Sequence, residues 1–239
     1  MESVVYNINY EEGMRISLVK GNTKLGKGVY SFNTLPGDQP LTTKTRGQLT
    51  NLFGTCSGCC DGCESVCYAV RDAKLHHNSV IPSAGKNTVI LRFSEDIMFS
   101  QLKEELIAQK AKVLRWHSSG EVPTYSYLLH MVKLAVEMPE MKFYFYTKRF
   151  DFIEKYLKEC GAFPDNLICN ISEWKDNTKG YDLRGVNKFI YDDGTDESLK
   201  KVVHCPAVNK EGKATGVNCD QCKRCFTKND GRITAVYSH

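Results

Sequence analysis

Nowhere in the chain do apolar residues run for the ~18 positions that a membrane-spanning helix needs, and Met1-Glu2-Ser3 opens without the basic and apolar stretches of a secretory leader. A charge excess of one sign is missing too: 32 basic side chains stand against 28 acidic ones, a formal net of +4. No polyelectrolyte partner is therefore demanded, and nucleic acid is permitted without being required. Internal repeats and low-complexity runs are also absent. The expectation is a cytoplasmic globular protein with no membrane association, and a composition 41% hydrophobic and 25% charged agrees with it. Its 239 residues suffice for one domain of βα units, or for a core with a short appendage.

What the chain has in quantity is cysteine. A reducing cytosol keeps thiols out of disulfides and free for metals. Nine of the eleven cysteines fall in two short windows, Cys56 to Cys67 and Cys205 to Cys225. Cys160 and Cys169 stand alone in regular segments and read as ordinary core cysteines.

Hydrophobic periodicity sets the rest of the chain in order. Short strands or a hairpin are expected at 4–6, 15–19 and 28–32, with a strand over 48–55 emptying into the first cysteine group. Helices follow at 68–75 and 82–93, then one capped by Ser94 and running to about residue 112. Next come a strand at 113–118, a helix at 124–138, a strand at 142–147, a helix from Asp151 to 159 and a strand at 167–171. Weaker strands are expected near 188–191 and 201–204. Such alternation argues for an α/β fold with a parallel sheet, open or curled into a partial (βα) barrel. The domains expected are N-terminal strands over 1–47, an α/β core over 48–204 and a cysteine-rich metal-binding extension over 205–239.

The first group puts five thiols into twelve residues, with Gly58 and Gly62 letting the backbone wrap closely around a metal centre. Two triplets are embedded in it. Cys56, Cys60 and Cys63 have C-x3-C-x2-C spacing; Cys56, Cys63 and Cys67 have C-x6-C-x3-C spacing and run into Tyr68-Ala69. A zinc knuckle closed by four thiolates is the structural alternative. Further along, Ser119-Gly120-Glu121 is placed where the strand through His117 should end, and ligands gather at the carboxyl ends of strands in open parallel sheets and barrels. The plain alternative is a turn glycine beside a solvated acid, with His117 a packed core residue. Thr147, Lys148, Arg149, Asn170, Ser172 and Glu173 are strand-end candidates by location alone.

Thr55-Cys56, Cys67-Tyr68-Ala69, the segment His117-Ser118-Ser119-Gly120-Glu121 and the tail Cys219 to Cys225 together resemble the phage and plasmid gene product eighty-eight family, over residues from about 20 to 226. The first triplet's spacing also resembles the radical-SAM superfamily. Gly62 stands where radical-SAM loops carry an aromatic, which favours Cys56, Cys63 and Cys67 as ligands with Cys60 in reserve. That resemblance implies a 4Fe-4S cluster on three thiolates, its open iron chelating S-adenosylmethionine, with Gly120 and Glu121 holding the methionine ammonium. It further implies reductive cleavage that starts radical chemistry on an unknown substrate, and an electron donor such as flavodoxin or ferredoxin.

Cys205, Cys219, Cys222 and Cys225 supply four thiolates with a ferredoxin-like C-x2-C-x2-C run, suited to a second 4Fe-4S cluster or to structural zinc. Lys223, Arg224 and Lys228 beside them are either phosphate contacts or ordinary surface charge. The rival function is a zinc- or iron–sulfur-stabilised nucleic-acid-binding or adaptor protein of a phage or mobile element.

Overall fold

The structure, a computed structural model, describes residues 5–57, 63, 67–174 and 177–237. Its strands are β1 (Leu18–Lys20), β2 (Val29–Phe32), β3 (Thr42–Thr43), β4 (Gly47–Gln48), β5 (Val113–Trp116), β6 (Lys142–Thr147), β7 (Leu167–Glu173), β8 (Asn187–Asp192), β9 (Val203–His204) and β10 (Ile233–Tyr237). The helices are α1 (Tyr68–Leu75), α2 (His77–Phe93), α3 (Glu95–Ala108), α4 (Tyr125–Glu137), α5 (Phe150–Cys160) and the single turn α6 (Cys219–Cys222). Eight strands form one open sheet in the order β1-β2-β5-β6-β7-β8-β10-β9, and β3 pairs with β4 in a separate hairpin. The pairs β5–β6, β6–β7, β7–β8, β8–β10 and β10–β9 are all parallel. The fold is therefore α/β with a mostly parallel, unclosed sheet. Among the described residues no helix is long and apolar enough to cross a membrane.

Local chemistry explains most element boundaries. Ser94 caps α3, its side chain accepting from the Ile97 amide, as a short hydroxyl before a helix should. Strand β6 buries Phe143, Tyr144 and Phe145 in succession, the pattern of a parallel strand covered on both faces. Strand β5 stops at Trp116 and not at the expected Ser118, because His117 takes a φ of +55°, which breaks the extended run. The strand expected over 48–55 is cut to Gly47–Gln48. Beyond it the backbone leaves the ladder to bond a neighbouring loop, Thr55 N–H to Leu35 O and Cys56 N–H to Gly37 O. Asp151 lies in the first turn of α5, with Arg149 at the N-cap position in its place. Cys169 is fully buried as expected, whereas Cys160 is exposed at the end of α5.

The chain divides into two compact units. Residues 1–19, 31–110 and 117–130 make the first, whose core gathers Leu35, Leu41, Leu49, Ala73, Ile81 and Ala84. Residues 20–30, 111–116 and 131–239 make the second, where Leu25, Val29, Tyr144, Ile168 and Phe226 cluster, with Cys219 and Cys225 packed against them. Each unit contains one of the two cysteine groups.

Candidate metal centres

In the first unit, the cysteine loop is tied at both ends to the segment that follows β5. Before Cys56, the Thr55 hydroxyl accepts from the Glu121 amide at 3.0 Å and lies 2.8 Å from the Thr34 hydroxyl. After Cys67, the Tyr68 hydroxyl donates to the Ser118 carbonyl. Ser118 is held in turn by its amide bond to Asn33 Oδ1, 2.9 Å, and Ser119 exchanges bonds with Thr34, carbonyl to amide and hydroxyl to carbonyl. Gly120 rests directly on the threonine pair: its φ is +94°, and an added Cβ would overlap Thr34 Oγ1 and lie 2.7 Å from Thr55 Oγ1. Only glycine meets both demands, a left-handed backbone and a contact this close. The Glu121 carboxylate is half-buried and accepts from the Val122 amide at 2.8 Å, which orients it.

The thiols of Cys56, Cys63 and Cys67 are each half-buried. Cys59 and Cys60, the latter the reserve ligand, lie outside the described residues. His117 is buried, with Nδ1 3.5 Å from Thr34 Oγ1 and its ring between Phe32 and Tyr127. Its packing against two aromatic rings is that of a core histidine. A positive φ on a side chain of this size is strained, and here it ends the extended run of β5.

In the second unit, Cys205, Cys219, Cys222 and Cys225 come into one neighbourhood, near enough for the other three thiols to act electrostatically on Cys225. Three of them have anchors outside the group. The Cys205 amide bonds Ala235 O in β10 at 2.7 Å; the Cys219 amide bonds Lys24 O at 2.9 Å; the Cys225 carbonyl accepts from Asn170 Nδ2 at 3.0 Å. Asn218 and Gln221 form a reciprocal capping box on α6. The loop from Gly26 to Gly28 is pressed so close that a Cβ on Gly26 would lie 2.7 Å from Asp220 Cβ.

Around these sulfurs stand Tyr144, Tyr146, Lys24 and Arg115. The Tyr144 hydroxyl is buried, has no hydrogen-bond partner of good geometry, and faces Cys219. Tyr146 faces Cys225, and the Arg115 guanidinium lies 4.9 Å from the Tyr146 ring centroid, a cation–π distance. Burial pushes the Cys225 thiol up to about 11 and raises Cys219 as well. Burial also lowers the Lys24 ammonium, with Arg115 adding to the shift and the cysteines opposing it. Thiols in such a place ionise only against compensating positive charge. Among the described residues, no three His, Cys, Asp or Glu side chains are drawn in to the spacing that a single metal ion needs.

The model of the Gene product 88 family matches residues 16–228. The chain belongs to that family. Comparison with curated proteins gives no match, and neither does comparison with solved structures. Within this Gene product 88 protein, three of the motifs that carried the resemblance meet in space: Thr55 and Tyr68, flanking the cysteine loop, bind the Ser118–Glu121 segment.

Other strand-end candidates are engaged elsewhere. Arg149 pairs with Asp151 at 2.7 Å and stacks on Phe152, Glu173 pairs with Lys188 at 2.8 Å, and Asn170 bridges Phe145 O to Cys225 O. Arg224 is held by Thr234 Oγ1 and Ile233 O, and Lys228 lies 3.5 Å from Asp230. Lys24, Arg115, Tyr144 and Tyr146 carried no functional signal in the sequence. The alternation of aromatics in β6 reads as core, and Lys24 sits in an irregular stretch.

Proposed function

We propose that this protein is a radical-SAM-like iron–sulfur protein with an open three-thiolate site at Cys56, Cys63 and Cys67 and a closed four-thiolate site at Cys205, Cys219, Cys222 and Cys225. The observation that carries the reading is the pinning of both ends of the first cysteine loop to Ser118–Glu121. The residues flanking a cysteine-rich loop and a Gly-Glu segment, far apart in sequence, are thereby brought to one place. The sheet is read as curled into a partial barrel, with the substrate at its mouth.

The donor set fits the group. Three half-buried thiols on a glycine-bearing loop suit a soft iron–sulfur centre. Cys56, Cys63 and Cys67 would hold a 4Fe-4S cluster there, and it would supply the one-electron reductive cleavage of S-adenosylmethionine. Gly120 lets the backbone approach the cofactor closely, and the Glu121 carboxylate receives the methionine ammonium. Thr34 and Thr55 hold that segment in register with the cysteines. The electron comes from a donor of the flavodoxin or ferredoxin kind.

Glu121→Ala tests the assignment. Losing a charge-assisted hydrogen bond to the ammonium should weaken S-adenosylmethionine binding by about 1.5–3 kcal/mol, on the order of 10- to 150-fold, at unchanged iron content. Dithionite-reduced wild-type protein should slowly form 5′-deoxyadenosine without added substrate. If cluster-replete protein forms none, and its cluster spectrum does not respond to S-adenosylmethionine, the radical reading fails and a non-catalytic metal protein takes its place.

A further inference from the structure

We infer that Tyr144, Tyr146, Lys24 and Arg115 are positioning residues that set the reduction potential of a cluster held by the four C-terminal cysteines; this rests on the reading of that site as iron–sulfur. Two cations and two phenols share one neighbourhood with four half-buried cysteines, Tyr144 being fully buried among them. Arg115, on β5, reaches across the Tyr146 ring. Lys24 holds the Cys219 amide through its backbone, while its ammonium acts on Cys205, Cys219 and Cys225. Lys24 and Arg115 are also close enough to disfavour each other's charge. Four thiolates on an oxidised four-iron cluster form a doubly negative group, whose charge nearby cations stabilise.

The phenols add direction. Tyr144 is wholly buried, and its O–H faces Cys219 with no other hydrogen-bond partner of good geometry. A hydroxyl left this way in a packed core is expensive, and a metal-bound thiolate is a far stronger acceptor than a thiol. One-electron reduction, by an external donor, adds a further negative charge to the cluster. Hydrogen bonds to sulfur and nearby cations stabilise that reduced state and raise the potential.

The test uses the full-length chain carrying Cys63→Ala, so that only the second site reports, in a redox titration followed by electron paramagnetic resonance. Tyr144→Phe and Lys24→Gln should each move the midpoint to more negative potential by roughly tenfold in the reduction equilibrium, about 59 mV for one electron. Iron and sulfide should stay at the parent level, and Tyr127→Phe, in the other unit, should leave the midpoint in place. Should Tyr144→Phe fail to fold, Tyr146→Phe replaces it with the same expected direction. An intact cluster whose potential ignores both the phenol and the lysine changes overturns this inference alone. Zinc without sulfide overturns the iron–sulfur reading beneath it as well.

Discussion

Deleting residues 231–239 is expected to abolish cooperative folding of the second unit. Strand β10 lies inside the sheet, pairing along five residues with β8 on one side and along two with β9 on the other. Ala235, Val236 and Thr234 are buried there. Each lost ladder bond is worth about 1 kcal/mol net, and the exposed apolar surface of β8 adds more, against a total stability of roughly 5–15 kcal/mol for a typical protein. The deletion also frees the Cys205 amide from Ala235 O, so the four-cysteine site loses an anchor together with the strand. Thermal unfolding followed by near-ultraviolet circular dichroism should show no sharp transition for this unit. A shortened chain that melts cooperatively within a few degrees of the parent would show β10 to be dispensable. Truncating the tail thus disturbs the fold and the four-cysteine neighbourhood together, and single cysteine replacements are the cleaner probe of the proposed site.

The second large effect is expected from Gly120→Ala. Two terms act at this residue: a φ of +94° that an L side chain adopts only under strain, and a Cβ that would overlap the Thr34 hydroxyl. Strain of this kind costs about 1–3 kcal/mol, and overpacking in a well-filled site costs about 1–3 kcal/mol more. Together they should remove about 2–6 kcal/mol, read from the shift of a urea midpoint at constant slope. The combination Gly120→Ala with Thr34→Ala separates the terms, because it restores space and leaves the strain, and should recover roughly half of the loss. If Gly120→Ala alone is neutral, the close packing of Gly120 on the threonine pair, and with it the docking of the Glu121 segment on Thr55, is wrong.

Much of the fold was legible because a parallel sheet writes itself in apolar runs. Lys142 to Thr147 reads as a covered strand from Phe143, Tyr144 and Phe145 alone, and Ser94 announces α3 by cap chemistry. Strand β10 was missed. Ile233–Tyr237 is five residues behind a cysteine-rich tail, and its insertion between β8 and β9 is a long-range choice that no local pattern encodes. The strand expected before Cys56 failed for a related reason: its apolar residues Leu49 and Leu52 serve the core of the first unit, while its backbone bonds a loop.

The candidate sites were legible as lists of cysteines and illegible as environments. Spacing could nominate Cys56, Cys63, Cys67, Cys205, Cys219, Cys222 and Cys225, because ligand chemistry is local. Thr55 and Tyr68 were visible only as motif letters, and their purpose, holding the loop against Ser118 and Glu121, is a tertiary fact. Lys24, Arg115 and Tyr144 lie 75 residues or more from Cys219 in sequence, and only folding sets them beside it.

Anaerobic iron, acid-labile sulfide and zinc analysis of the full-length protein, run beside Cys63→Ala and Cys222→Ala, tests the central claim most directly. The expected result is brown protein with iron and sulfide in equal amounts, near eight of each per chain for two four-iron clusters, and about half of that in either variant. Colourless protein that carries zinc without sulfide, or iron that neither replacement lowers, would contradict two thiolate-held clusters.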